Sequence, residues 1–587
     1  MALAFLAIAT GILIAHGLNQ ASLEKSLSQD LGRQVTIGKA NIDWHNAIHM
    51  EMKNFRLANA DWGSQPDMIR LGVVEADISV WPLLRGVIEY QNLQAQDFEI
   101  LLERDKNGIG NWRMDGKLPA KDAPVPHGGL TVVPKNRTQF PNLLNFTLQH
   151  GKLSLRVSSG KLLHLTADDL KASAADGDAP MQMIFKGTYN DVKTHIEIKG
   201  DSFEKLRNDS MPYGMKILIN TPHNQLLFDG TSMNPLDMDA AKGDLKITTD
   251  NFGDLLGILD MQSPAKINFE IGGYLNRNGD DWDLSSLHSK LSGNEFDGHL
   301  VLHEGARAQA DTIAMDLNAG QVNAKKIYDS FGATGFVQSN SFTAKPGTKF
   351  DARLQARDIQ YGQHHIYDSQ SHLTLRPGDM RLEIPVAKFL DANMKITGSI
   401  SAKDDNHLNY HLNADLSQGK MGKLMQFIDL KPGSISGLFN LYADITMMGK
   451  NWHDSLRTAY GQAGFVVKNG TIAQDNLEKL SLDLRSLFRT NNGQVPLNCL
   501  AAHITVHNGI GEILPLLLDT RGADFVGQGN VNLARQYLDI ILQSNPDSTS
   551  DFALDVPLRL TGPFSNLHIA PAFGAELPKM KEADCAL

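Results

Sequence analysis

The sequence predicts a mainly β protein, and three observations carry that reading. Apolar and polar residues alternate with a period of two over most of the chain, and the runs are separated by Gly, Asn, Asp and Pro. The 3.6-residue period of an amphipathic helix surfaces only in short pieces. The clearest run is HLNYHLNADLS, in which Leu408, Tyr410, Leu412, Ala414 and Leu416 form one face and His407, Asn409, His411, Asn413 and Asp415 the other. At 587 residues the chain exceeds one ordinary core, so it holds several domain-sized units or one repeated architecture.

Residues 2–18, ALAFLAIATGILIAHGL, are almost wholly apolar and lack Asp, Glu, Lys and Arg. Leu3, Phe5, Leu6, Ile8, Ile12, Leu13 and Ile14 supply the apolar bulk of a membrane anchor at 1–18. The length falls between a signal-peptide apolar region and a full span, and no basic residue precedes it. The residues alone therefore leave an uncleaved anchor and a cleaved signal both open, and either one exports the body.

In the N-terminal β module, 19–116, NQASLEKSLSQDL spaces Leu23, Leu27 and Leu31 as one face of a short helix, which makes the SxxK of Ser22 and Lys25 surface polarity. The period then becomes twofold. In VVEADISVW, Val74, Ala76, Ile78 and Val80 point one way, against Glu75, Asp77 and Ser79. Lys106-Asn107-Gly108 reads as a hairpin turn, because the oxygen ligands of a calcium loop are missing. Prolines and glycines interrupt the pattern at 117–142, a linker or long surface loop. Alternation resumes through a central region, 143–430, and a C-terminal module, 431–587, with Pro377-Gly378-Asp379 joining two of its strands. Helical pieces are expected near Leu255, Ile327 and Met425, and Gly86, Gly293 and Gly398 read as turn or bend positions.

Composition excludes several function classes. The net charge is −11 with no basic stripe, so nucleic acid is not a partner. Cys499 and Cys585 are the only cysteines, which rules out a thiolate metal motif and leaves room for a single bridge. His364, His365 and His372 form the densest histidine group, but neighbours on a strand face opposite ways and cannot readily share a metal. His303-Glu304 lacks a second His, GSISG at 433–437 misplaces its serines for a nucleophile elbow, and GQGNV at 527–531 precedes no helix. No catalytic or cofactor-binding constellation emerges, and the reading is non-enzymatic.

An alternating sheet must cover its apolar face. Stacked sandwiches would do so with a second sheet, and a curved, twisted trough would do so with apolar ligands. Periodicity does not choose between them.

Both ends of the chain resemble the AsmA family of bacterial envelope proteins. The wording that carries this is LGRQVTIG at 31–38, FRLANADWGSQPDM at 55–68, VWPLLRGVIEYQNL at 80–93 and ILLERDKNGIGNW at 100–112. At the other end it is Cys499 with ITVHNG, LLLDTRGADFVGQGNVNLARQYLDIIL at 516–542 and VPLRLTGPFSNLHIAP at 556–571. The resemblance implies an inner-membrane protein with a periplasmic, elongated and curved antiparallel β-sheet whose apolar groove is similar to that of bridge-like lipid transfer proteins. It implies phospholipid acyl chains and the inner membrane as partners, with the outer membrane or envelope proteins beyond them. Val74, Ile78, Val80, Leu408, Tyr410, Leu412 and Leu416 are then the groove-lining candidates. The competing reading is a scaffold for outer-membrane proteins with closed β-sandwich domains.

Overall fold

Twofold alternation becomes strand almost everywhere it occurs: thirty strands are found among the described residues, joined by short turns and a few short helices. The computed structural model describes residues 20–44, 46–103, 110–112, 137, 140–156, 162–235, 238–253, 267–305, 310–331, 348–404, 407–428, 433–480, 493–521, 524–545 and 556–575. The apolar stretch 2–18, the turn at 106–108, most of 117–142 and the helical piece near Leu255 lie outside these residues. No helix among the described residues is long and apolar enough to cross a membrane. The chain divides into two compact units. One comprises Met1–Phe252, Asn268–Ser289 and Val301–Gln309, and the other Gly253–Ile267, Lys290–Leu300 and Ala310–Leu587.

In the first unit, Val35–Thr36 and Lys39–Trp44 both pair with Ala47–Ala58, followed by Asp67–Ser79 and Glu89–Glu103, all antiparallel. Glu89–Glu103 then lies parallel to Asn145–Arg156. A parallel pair needs a long crossover rather than a hairpin, and the connecting chain includes the Pro- and Gly-rich stretch 117–142. An antiparallel series follows: Leu162–Ser173, Met181–Tyr189, Val192–Gly200, Tyr213–Asn220, Asn224–Ser232, Lys242–Thr249 and Phe269–Asn278.

The second unit contains another parallel pair, Thr312–Asn323 beside Lys349–Tyr361, with the helix Ala324–Phe331 in the connection. Its antiparallel series then runs through His364–Arg376, Asp379–Phe389, Ala392–Asp404, His407–Lys420, Leu438–Gly449 and Tyr460–Ala473. It continues through Gln494–His507, Ile510–Thr520, Asp524–Asn532, Tyr537–Asn545, Leu558–Pro563 and His568–Pro571. Pairing is thus mostly antiparallel, and the parallel pairings of Glu89–Glu103 with Asn142–Leu143 and Asn145–Arg156, and of Thr312–Asn323 with Lys349–Tyr361, correct the antiparallel sheet expected from the sequence. The expected connection at Pro377-Gly378-Asp379 is a two-residue turn at Pro377–Gly378, with Gly378 at φ 76° and Asp379 already in the strand, paired to Arg376.

The first helix, Gln20–Leu31, buries Leu23, Leu27 and Leu31 and leaves Ser22 and Lys25 exposed. Its polar side chains complete the backbone hydrogen bonding of the sheet edge. Val35 N–H donates to Ser28 Oγ at 2.9 Å, and Ile37 N–H donates to Glu24 Oε1 at 2.7 Å.

The wording shared by FRLANADWGSQPDM and ILLERDKNGIGNW resolves into a buried polar network. Glu103, 2 % exposed, accepts from Asn59 Nδ2 at 3.0 Å, Ser64 N–H at 2.9 Å, Arg156 Nε at 3.1 Å and the Ser64 hydroxyl. Asn111, fully buried, accepts from Glu103 N–H at 2.9 Å and donates to Asn59 Oδ1 and the Leu101 carbonyl. Burial pushes the Glu103 carboxyl up, but the hydrogen bonds from Ser64, Asn59 and Arg156 outweigh it and hold the pKa below the ordinary carboxylate value. These residues tie the far end of the first strands together.

Candidate functional site

Directly paired residues on neighbouring strands share a face, so an apolar position repeated at matching register becomes a row across the sheet. In the first unit one row runs Ala40, Met52, Val74, Ala95, Leu148, Leu170, Phe185, Ile196, Ile219, Leu226, Ile247 and Ile271. At about 4.8 Å per strand it extends roughly 50 Å. A second row beside it runs Met183, Ile198, Ile217, Phe228 and Leu245. Met52 and Val74 are buried, whereas Leu148, Leu170, Ile196, Ile219, Leu226, Ile247 and Ile271 are only half-buried.

The second unit repeats the arrangement. Ala352, Leu373, Leu382, Gly398, Leu412 and Ile445 form one row, and Ile384, Ile396, Ala414, Ala443, Ala463, Ile504 and Ile513 form the next. Leu373, Leu382, Leu412, Ile384, Ile396 and Ile445 are half-buried. Gly398 was expected at a bend but sits mid-strand between Leu382 and Leu412. A Cβ built there meets no heavy atom within 4 Å, so the apolar face has open space above it. Gly86 and Gly293, at φ 79° and 80°, do occupy turn conformations.

The four candidates on His407–Lys420 differ in surroundings. Leu408 and Tyr410 are 1 % and 7 % exposed and join a cluster with Met447, Ala459 and Val506. The segment Trp452–Thr458 covers them: the Tyr410 ring meets Trp452 edge-on at 5.9 Å, and burial raises the Tyr410 pKa against a hydrogen bond with Ser455. Leu416 is half-buried in the next row, packed against the cluster of Met421, Met425 and Phe439, to which the helix Met421–Phe427 contributes. Leu412 lies between the two clusters, beside the gap at Gly398. The face is therefore sealed at both ends of these strands and open midway.

At the N-terminal strands the candidates divide differently. Val74 and Ile78, each 1 % exposed, are enclosed core. Val80 does not continue the strand, which ends at Ser79; Val80 opens the short helix Val80–Leu84, where Pro82 lacks the N–H a ladder needs but fits a first helical turn.

The opposite face is polar. Lys216 pairs with Asp229 and Lys246 with Glu270, both at 2.8 Å. Histidines pair with carboxylates: His365 with Asp358 at 2.8 Å, His372 with Asp351 at 2.9 Å, His411 with Asp444 at 2.8 Å and His303 with Asp281 at 2.7 Å. His364 instead packs edge-on against Phe427 at 4.7 Å. Among the described residues no group of three or more His, Cys, Asp and Glu is placed to hold a metal. Ser436 of GSISG binds Thr471 Oγ1 at 2.8 Å as a cross-link between backbone segments. Cys499, 1 % exposed, is disulfide-bonded, as suits an oxidising compartment; the other cysteine, Cys585, lies outside the described residues.

Comparison with known proteins adds two findings. The family model described as "AsmA family" matches residues 1–209. A relative in Escherichia coli (strain K12), "AsmA family protein YhjG", is 22 % identical over 595 residues, covering 92 % of this chain and 84 % of its own.

Proposed function

The chain belongs to the AsmA family, and from that premise we propose that it is a non-enzymatic, inner-membrane-anchored periplasmic protein whose apolar face binds or conducts phospholipid between the two membranes, supporting outer-membrane biogenesis. The family places it in the cell envelope. One observation carries the lipid reading: apolar rows continue at matching register across many strands while remaining half-exposed, with a charged, hydrated face behind them. Acyl chains gain about 0.8 kcal/mol per methylene buried on such a surface, and head groups need only a wet margin. The residues that would line such a surface are Leu412, Leu416 and Ile396 in the second unit and Ile198 and Ile217 in the first. On the same faces, Val74 and Ile78 in the first unit and Leu408 and Tyr410 in the second are enclosed and bound the open stretch of each.

A photo-crosslinking amino acid placed in the full chain tests this reading. At Leu412 or Ile217 it is expected to capture phospholipid, whereas at Asn413, on the polar face, it captures none. Equal capture at all three positions, or none at any, rejects the groove and favours a scaffold with closed apolar faces.

A further inference from the structure

The first unit exposes large apolar side chains at one end of its N-terminal strands. Trp44 is 60 % exposed, Trp81 77 % and Leu84 73 %. The pairing register brings them together. Trp44 pairs with Ile48, Ile48 with Ile78, and Ala47 with Ser79, so the end of Lys39–Trp44 and the helix Val80–Leu84 project from the same end of the sheet, two strand spacings or about 10 Å apart. The Arg85 side chain, also exposed, follows directly.

The course of the chain at Gln20 supplies a second, independent observation. Ser28 binds the Val35 N–H, Glu24 binds the Ile37 N–H and Gln20 donates to the Ile37 carbonyl. From Ser28 back to Gln20 the helix thus advances in the direction of Val35 to Ile37. The pairing of 35–44 along Ala47–Ala58 carries that direction on to Trp44. The N-terminal end of this helix, Gln20, is therefore directed toward the end of the sheet at which Trp44 and Trp81 lie.

We propose that Trp44, Trp81 and Leu84, with Arg85, form a tip that inserts into the head-group region of the bilayer holding the N-terminal segment. Indole rings prefer the membrane interface, an exposed Leu adds apolar contact, and a guanidinium suits phosphate oxygens. The tip holds this end of the N-terminal strands at the membrane, with the exposed Trp44, Trp81 and Leu84 meeting the lipid and the buried Ile48, Ile78 and Tyr90 packed behind them. This inference rests on the anchor in the proposed function and is independent of the groove.

The test is tryptophan quenching in the full chain reconstituted into phosphatidylethanolamine and phosphatidylglycerol vesicles containing brominated phospholipid. The chain has six tryptophans, so with two at the interface roughly a third of the emission should be quenched. That fraction should fall to near zero in the Trp44→Phe, Trp81→Phe double variant. Trp62, 43 % exposed beyond Ala58 at the other end of these strands, is the control, and Trp62→Phe should raise the quenched fraction slightly, from about a third to about two-fifths. Equal quenching in the parent and the double variant overturns the tip. Flotation of the chain with vesicles tests the anchor separately, so a chain that floats but whose quenching is undiminished in the double variant rejects the tip and leaves the anchor standing.

Discussion

Leu408→Asp is expected to destabilise the second unit by roughly 4–5 kcal/mol, while Leu412→Asp, four residues away on the same face, costs about 1 kcal/mol. Leu408 is 1 % exposed under Trp452–Thr458, so an aspartate there loses the packing of the leucine and must ionise without a partner or stay neutral. Leu412 is half-buried beside the open space at Gly398, where water reaches a carboxylate. Urea denaturation followed by circular dichroism measures both. A loss at Leu412 as large as that at Leu408 would mean the face is closed along its whole length.

Glu103→Ala carries the second large effect, about 3–5 kcal/mol in the first unit. The substitution takes an acceptor from the buried Asn59 Nδ2, which keeps only its bond to the Gln65 carbonyl, and from the Ser64 N–H, and it leaves a void beneath Asn111. Arg156, 41 % exposed, lies at the edge of the network, and Arg156→Ala is expected to cost about 1 kcal/mol. The pH dependence has a definite sign. Because the folded pKa of Glu103 is depressed, its contribution is present above the unfolded carboxylate value, about 4.3, and is lost as pH falls through the folded value. Urea midpoints of the parent and Glu103→Ala chains should therefore converge as pH falls below about 4. A gap that stays constant down to low pH would remove the carboxylate from the account.

Local periodicity made much of this architecture legible and left the rest to long-range contacts. Alternation from Leu408 to Leu416 assigned the faces, and the leucine spacing of Gln20–Leu31 assigned the buried side of the helix. Period alone could not say that Trp452–Thr458 would fold over Leu408 and Tyr410 and spare Leu412, since that contact lies outside the run. Val80 looked like one more strand residue because its parity was right; Pro82, two positions on, was the signal that the ladder had to stop. Gly398 read as a bend because glycine commonly serves one, whereas its role is set by Leu382 and Leu412 on the neighbouring strands. The break at 117–142 was visible, but its place in a parallel connection depends on the pairing of Glu89–Glu103 with Asn145–Arg156. The end-specific wording around Asn59, Glu103 and Asn111 marked a family without revealing that these residues hydrogen-bond one another.

The central claim is that the half-exposed apolar rows hold phospholipid acyl chains. Native mass spectrometry of the full chain, gently extracted from membranes, tests it most directly, with Gly398→Trp as the companion variant because the new ring enters open space beside Leu412. The account predicts phospholipid retained on the parent chain and fewer molecules on the folded variant. A folded parent without lipid, or identical lipid counts on both chains, would contradict it.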